Sequence, residues 1–160
     1  ATPSTSGSAT ATLSATSSST TLDGIPNSAN KIIIGFNNIR VATNDFLAVQ
    51  LRSGGSNVTS SFYNYASKLN TSSSGTGNAT IYFVVIENNW ASSTDRLCGT
   101  FTLVRNGTGL WVASWTAVTR NNANGFWGGG DLGINTANLN GIRLLSGANF
   151  VGGSFSINWS

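Results

Sequence analysis

Residues 97–118 read LCGTFTLVRNGTGLWVASWTAV, and they decide the fold class because apolar and polar positions alternate on both sides of one turn. The pair Asn106-Gly107 suits a type I′ turn, in which both central residues need a positive φ. A two-residue loop of this kind pairs Phe101 with Val112 on one face. The stretch therefore predicts a β-hairpin.

This hairpin places Trp111 and Trp115 together on the second face, about 13 Å apart at four strand rises. Either that face is covered by the opposing sheet, by the N-terminal segment or by another subunit, or it is a platform for sugar rings, whose C–H faces pack well on aromatic rings. An exposed aromatic pair would mark an interface. We therefore predict Trp111 and Trp115 as interface residues.

The rest of the chain has the same two-residue period, and no long segment shows the 3.6-residue period of a helix. The apolar run Ile81–Ile86 indicates a central strand that is covered on both sides. Short strands separated by Gly, Asn and Ser turns predict an all-β, jelly-roll-like antiparallel β-sandwich of about eight strands.

The N-terminal segment differs in composition from the rest of the chain. Residues 1–22 consist mainly of Ala, Thr and Ser, which bury little apolar surface, so they predict a low-complexity arm or linker. An edge strand over residues 10–15 is the alternative. The turn Asp23-Gly-Ile-Pro-Asn27 then opens the predicted β-sandwich domain, residues 23–160.

The composition excludes several kinds of active site. The 160 residues include no histidine, which removes the usual general base and the commonest metal ligand. The one cysteine, Cys98, forms neither an internal disulfide nor a thiolate zinc site, and we interpret it as a small buried side chain. We therefore predict no catalytic residues, no metal and no cofactor. An enzyme that brings two carboxylates together for glycoside cleavage is the remaining alternative.

The charges are few and separated along the sequence. Eight Lys and Arg residues against five Asp and Glu give a net charge of +3. Because nucleic-acid-binding proteins usually cluster their cations on one face, we expect no nucleic-acid partner. No apolar run approaches the length of a membrane span, so we expect no membrane insertion.

Aromatic residues among Asn and Ser in predicted loops are candidates for surface recognition. We predict Tyr63, Tyr65, Trp90 and Trp127 as ligand-binding residues, with ordinary anchoring of the loops as the alternative. Trp127 precedes the run Gly128-Gly-Gly130, which we interpret as a tight bend or a place of close chain packing. An anion-binding nest is the other interpretation of these glycines.

A series of short strand and turn motifs extends from the end of the N-terminal segment to the end of the chain. In order they are Asp23-Gly-Ile-Pro26, Lys31-Ile-Ile-Ile34, Leu47-Ala-Val-Gln-Leu51-Arg-Ser-Gly54, Gly99-Thr-Phe-Thr-Leu103, Trp111-Val-Ala-Ser114, Gly128-Gly-Gly130, Leu139-Asn-Gly-Ile-Arg143 and Phe150-Val-Gly-Gly-Ser-Phe-Ser-Ile157. In order and spacing, residues 23–160 resemble the C-terminal β-sandwich domain of tailed-phage tail fibres and related virion proteins.

This resemblance implies a non-enzymatic structural protein of the virion, in which the N-terminal segment is a tether. It also implies a homotrimer that contacts other virion proteins. We expect a tail-fibre or tip domain that binds a host cell-surface glycan or protein. The alternative is a capsid decoration protein or head fibre, anchored to the shell through its N-terminal arm.

Overall fold

The chain folds entirely into strands wherever the structure describes regular elements, which confirms the all-β prediction. The computed structural model describes residues 6–59, 63–69, 74–87, 94–107, 110–121, 124–132 and 139–160. In β10, for example, each buried residue is followed by an exposed one, as expected when one face of a sheet packs on a core.

Thirteen strands form within these ranges, which is more than the eight or so predicted. In chain order they are β1 (Gly7–Thr12), β2 (Ser19–Asp23), β3 (Lys31–Val41), β4 (Leu47–Ser53), β5 (Ser56–Asn57), β6 (Tyr63–Leu69), β7 (Ser74–Thr80), β8 (Phe83–Ile86), β9 (Leu97–Arg105), β10 (Trp111–Thr119), β11 (Gly125–Leu132), β12 (Leu139–Ser146) and β13 (Phe150–Trp159).

The strands form two antiparallel sheets. The large sheet has eight strands in the order β1-β13-β3-β9-β10-β11-β6-β7. The small sheet has the order β2-β12-β4-β5, and β8 also pairs with β4. Buried apolar side chains from both sheets form one core between them. We call the side of the large sheet that points away from the small sheet the outer face.

The hairpin of β9 and β10 forms, but its predicted register is wrong. Phe101 pairs with Trp115 instead of Val112, which is a shift of three residues. The backbone N–H of Asn106 donates to the carbonyl oxygen of Leu110 (2.8 Å), so the loop is longer than two residues. Because successive side chains of a strand point to opposite faces, an odd shift exchanges the two faces of β10.

Trp111 and Trp115 therefore lie in the core, with 2% and 3% of their surface exposed. Trp115 stacks on Phe101, with ring centroids 5.1 Å apart and an interplanar angle of 9°. Phe83 of the small sheet lies against the same indole, at a centroid distance of 6.3 Å. The prediction of Trp111 and Trp115 as interface residues is wrong, because the opposing sheet covers them.

The described part of the N-terminal segment belongs to the sandwich and is not a separate arm. β1 pairs with β13 at one edge of the large sheet, and β2 pairs with β12 at one edge of the small sheet. Between these two strands, Leu13 is buried and its N–H donates to the carbonyl oxygen of Gly153 (2.9 Å). The edge-strand alternative therefore describes residues 7–12 better than an arm does.

The glycine run lies inside β11 and serves close packing. A Cβ on Gly128 would collide with the indole of Trp115, so this position has to be a glycine. Gly129 faces outward, and a Cβ there would meet the carbonyl oxygen of Ala113 at 3.4 Å, an ordinary contact distance. None of Gly128, Gly129 and Gly130 has a positive φ, so the run forms no nest of the kind that binds anions.

These two neighbouring glycines give a matched test of the packing. We expect Gly128→Ala to lower the free energy of unfolding by about 1–3 kcal/mol, because the new methyl group overpacks the core against Trp115. Gly129→Ala is the control, and we expect it to stay within about 0.5 kcal/mol of the wild type. Urea unfolding followed by circular dichroism measures both. Equal losses for the two variants would contradict the packing of Trp115 over Gly128.

Candidate functional site

The outer face of the large sheet is open to solvent over its central strands. The alternation along each strand, combined with the cross-strand pairs, decides which side chains point outward. Four adjacent strands, β9, β10, β11 and β6, form this part of the face. Their outward positions are Cys98, Thr100, Thr102 and Val104 on β9, Val112, Ser114, Thr116 and Val118 on β10, Trp127, Gly129 and Asp131 on β11, and Asn64, Ala66 and Lys68 on β6.

Trp127 is the large aromatic side chain of this face, and 44% of its surface is exposed. It lies opposite Thr116 on one neighbouring strand and opposite Lys68 on the other. Its indole extends over Gly125, because atom Cζ3 is 3.6 Å from the position that a Cβ of Gly125 would occupy. A methyl group at position 125 would therefore make an ordinary contact with the indole, which lies along the sheet.

Two depressions open on the outer face. The larger has a volume of about 420 Å³, and the outward side chains in its lining are Asn64, Val112 and Asp131. The smaller, of about 280 Å³, includes Thr100 and Thr116. Both depressions are wide and open, so they suit contact with an extended surface or chain better than enclosure of a small molecule.

Two exposed arginines are paired through their backbones at one end of the large sheet, where β9 begins and β10 ends. The N–H of Arg120 donates to the carbonyl oxygen of Arg96 (2.8 Å), which makes them the cross-strand pair next to Leu97 and Thr119. Arg96 and Arg120 are exposed and each lies one residue beyond the buried Leu97 and Thr119, so we expect the alternation to continue and to place both on the outer side.

Sequence reasoning missed this arginine pair, because the cations are well separated along the chain. The correct register of the hairpin would have revealed the pair. The observed register sets Arg96 opposite Arg120, whereas the predicted two-residue loop sets Arg96 opposite Ala117. The fold therefore pairs two cations that are 24 residues apart in the sequence.

Tyr63 is fully buried, so its prediction as a ligand-binding residue is wrong. The residue begins β6 instead of lying in a loop, and its ring packs edge-on against Phe83 with centroids 4.9 Å apart. The hydroxyl accepts the N–H of Leu51 (3.0 Å) and donates to the carbonyl oxygen of Val58 (3.0 Å). Burial raises the pKa of Tyr63 well above its ordinary value.

The alternation places the side chains of Tyr65 and Trp127 on opposite faces of the large sheet, and Tyr65 borders the larger depression. Tyr65 is half-buried on the core side, with its ring over Gly77 at the β7 edge. Burial raises its pKa, and the negative charge of Glu87 raises it further. Trp90 falls outside the described residues. Of the predicted ligand-binding residues that the structure describes, Trp127 is the one on the outer face.

Carboxylates of the described residues hold the fold together locally. Asp23 forms an ion pair with Arg52 (Oδ1 to Nε, 2.7 Å) between β2 and β4. Oδ1 of the buried Asp95 accepts the backbone N–H groups of Arg96 and Asn121, both at 3.1 Å. These bonds tie the start of β9 to the segment after β10.

Other groups with possible chemistry are dispersed over the described ranges. Cys98 is half-buried, and its Sγ lies 3.7 Å from Oδ1 of Asn38. No three His, Cys, Asp or Glu side chains lie together in these ranges in a way that suits a metal ion. Nor do these ranges contain a helix that is long and apolar enough to cross a membrane.

Comparisons with known proteins find structural likenesses but no family. A scan of protein-family models finds none that matches the chain, and no curated protein matches it. The chain is similar to the crystal structure of a protein of unknown function from Shewanella oneidensis MR-1, at 13% sequence identity and a TM-score of 0.33. The likeness covers 92% of this chain and 67% of that one.

The hydroxyl of Tyr63 can be tested as a structural group. We expect Tyr63→Phe to lower the free energy of unfolding by about 1–3 kcal/mol, since it leaves the N–H of Leu51 and the carbonyl of Val58 without their partner. Tyr65→Phe is the control. The structure gives the Tyr65 hydroxyl no hydrogen bond to a described residue, and we expect its removal to cost less than about 0.5 kcal/mol.

The effect of Tyr63→Phe on stability should also depend on pH. Because the pKa of Tyr63 is raised in the folded state, its contribution is complete below the ordinary tyrosine pKa of about 10 and is lost as the pH rises above it. The stability gap between wild type and Tyr63→Phe should therefore narrow above about pH 10. Chemical unfolding from pH 8 to about 11 measures the gap, and a constant gap would contradict the burial of an un-ionised Tyr63.

Proposed function

We propose that this chain is a non-enzymatic structural protein of a phage virion, a tail-fibre or tip domain that binds a host cell-surface glycan or protein through the outer face of the large sheet. The observation that carries the proposal is the exposed Trp127 on a central strand of an otherwise well-packed sandwich. The resemblance of residues 23–160 to tail-fibre domains supports the same function.

The position of Trp127 suits recognition. Its strand is paired on both sides, by β10 and by β6, so the backbone beneath the indole is already ordered before a ligand binds. An aromatic side chain held on a rigid element loses little conformational entropy on binding. Its exposed face can stack on the C–H face of a sugar or on an apolar side chain of a protein.

The hydroxyl groups around Trp127 provide the polar part of such a surface. Thr100 and Thr116 line the smaller depression, and Thr116 is the direct cross-strand neighbour of Trp127. Hydroxyl groups both donate and accept hydrogen bonds, which matches the mixed donors and acceptors of a glycan. Aromatic stacking beside hydroxyl groups therefore supports a glycan as the first choice of ligand.

Three of the five carboxylates, Asp23, Asp95 and Asp131, have structural partners, which supports binding in preference to catalysis. Asp23 is held by Arg52, and Asp95 accepts two backbone N–H groups, so both already have structural partners. Asp131 on the outer face accepts the side-chain N–H of Asn64 (3.0 Å). Glycoside cleavage needs two carboxyl groups placed on either side of one bond, and these three acids have separate structural surroundings.

A homotrimer that contacts other virion proteins is part of this proposal. Three copies on one fibre tip present three equivalent outer faces to a surface, so weak individual sites gain avidity. The capsid alternative depends on a free N-terminal arm, whereas β1 and β2 pair with β13 and β12. We therefore favour the tail over the shell.

Imaging of intact phage particles with a labelled antibody to this chain tests the location. We expect labelling at the tail tip or fibres, and we expect the soluble domain to block adsorption of the phage to its host by competing for the same receptor. Regular labelling of the capsid shell would support the decoration alternative and overturn the tail assignment.

Trp127→Ala tests the binding face itself. We expect the soluble variant to bind host cells about tenfold more weakly, because loss of one stacked aromatic ring costs on the order of 1.4 kcal/mol. Val151→Ala is the matched control, since Val151 is also exposed (37%) but lies on β13, four strands away from β11. If both variants bind as the wild type does, Trp127 is not the contact residue.

A further inference from the structure

We propose that Arg96, Arg120 and Trp127 form a subsite for an acidic sugar, such as a uronic acid carried by an otherwise neutral glycan. This inference rests on the proposed function, since it assigns a ligand class to the same outer face. It is carried by the geometry of the arginine pair and by the distribution of charge around Trp127.

The arginine pair has two like charges directly opposite each other. Arg96 and Arg120 are joined through their backbones, with Arg120 N–H donating to the carbonyl oxygen of Arg96 at 2.8 Å. Side chains directly opposite in an antiparallel pair have Cβ atoms about 4.5–5.5 Å apart. Like charges on directly opposite residues are generally destabilising, so we expect a repulsion between the two guanidinium groups.

Nothing in the described part of the chain neutralises this repulsion. No carboxylate oxygen of the described residues lies within 4.0 Å of either guanidinium group. The nearest acid in sequence, Asp95, is fully buried and uses its Oδ1 to accept backbone N–H groups. A bound anion between the two guanidinium groups would relieve the repulsion, and guanidinium groups bind carboxylates with two parallel hydrogen bonds.

Trp127 lies within reach of a sugar ring that is held by these arginines. Its indole extends over Gly125, and Gly125 is the direct cross-strand partner of Val118. Arg120 comes two residues after Val118, which is about 6.8 Å along the strand on the same face. A sugar stacked on the indole therefore directs an acidic substituent toward the arginine pair.

The charges of this face are few and lie apart from one another: the arginine pair is at one end, Lys68 is opposite Trp127, and Asp131 is near the other end of β11. Between the arginines and the far end, the depression beside Trp127 is lined by Thr100, Thr116 and Val118, which are uncharged. The acid of the face, Asp131, is four residues from Trp127, or about 13 Å along β11. A mainly neutral chain with one acidic group fits this pattern.

A nucleic acid fits the pattern less well. Proteins that bind single strands track the repeating phosphates with a continuous groove of cations. Here the cations near Trp127 are the arginine pair and Lys68, which lies on the opposite side of the indole. The uncharged Ser and Thr positions of the face would leave most phosphates without a partner.

Two oligosaccharides that differ by one acidic group test the proposal. The probes are xylopentaose and the same oligosaccharide carrying one glucuronic acid branch, titrated against the soluble domain by calorimetry. We expect the acidic probe to bind about tenfold more tightly at about 50 mM salt, with a smaller difference at about 200 mM salt because ions screen the contact. Trp127→Ala should weaken both probes.

The arginine variants decide whether the pair causes this preference. We expect Arg96→Gln combined with Arg120→Gln to bind both probes equally. Lys31→Gln is the control, since it removes one exposed cation of the large sheet but lies on β3, opposite Val104. It should keep the tenfold preference. Equal binding of the two probes by the wild type, or no binding of either, would overturn the acidic-sugar assignment.

The outcomes separate this inference from the proposed function. Equal affinities that still depend on Trp127 would refute the acidic subsite and leave the binding face in place. Tighter binding of an eight-nucleotide thymidine strand than of the acidic sugar would instead identify a nucleic-acid surface. Host binding that does not depend on Trp127 would refute the proposed function itself.

Thermal unfolding gives a second measurement that needs no ligand. Because each single variant removes the repulsion, Arg96→Gln and Arg120→Gln should each raise the midpoint of thermal unfolding by about 1–3 °C in the free protein. The double variant should show less than the sum of the two increases, since one interaction is removed in both cases. A fall in the midpoint for both single variants would show that the arginines already have stabilising partners.

Discussion

The pairing of β9 with β10 is the constraint on which the rest of the structure depends. It sets Trp115 opposite Phe101, so the two rings stack in the core at 5.1 Å. The indole then occupies the space that a side chain at Gly128 would need, which explains a glycine in the middle of a strand. The same register leaves Val112, Thr116 and their neighbours outward, so one pairing determines both the core and the open face.

The outer face has a well-ordered backbone and carries aromatic, hydroxyl and charged side chains. β11 is paired on both sides and packs through Phe126 and Leu132 on the core, so Trp127 rises from a rigid support. Hydroxyl groups occupy its centre, while the arginine pair occupies one end. Such a surface selects ligands that can stack, form hydrogen bonds and place a charge at the matching positions, and it needs no enclosed pocket.

The sequence predicts the fold class well and the site poorly, for one physical reason. Alternation identifies strands and their apolar faces, as along β10, but it does not say which residue of the next strand lies opposite. The Asn106-Gly107 pair favours a two-residue turn, whereas hydrogen bonds between Asn106 and Leu110 stabilise a longer loop. Because the predicted register was wrong by three residues, the prediction placed the tryptophans of β10 on the wrong face and missed the pairing of Arg96 with Arg120.

The N-terminal strand has a mechanical consequence for a domain tethered from that side. A pulling force would enter at Gly7 and act first on its pairing with Trp159, then on each successive pair of β1 and β13 in turn. The Trp159 indole lies over Gly7 and occupies the position that a Cβ would take there. The first backbone pair to bear the tension is thus packed beneath a bulky ring.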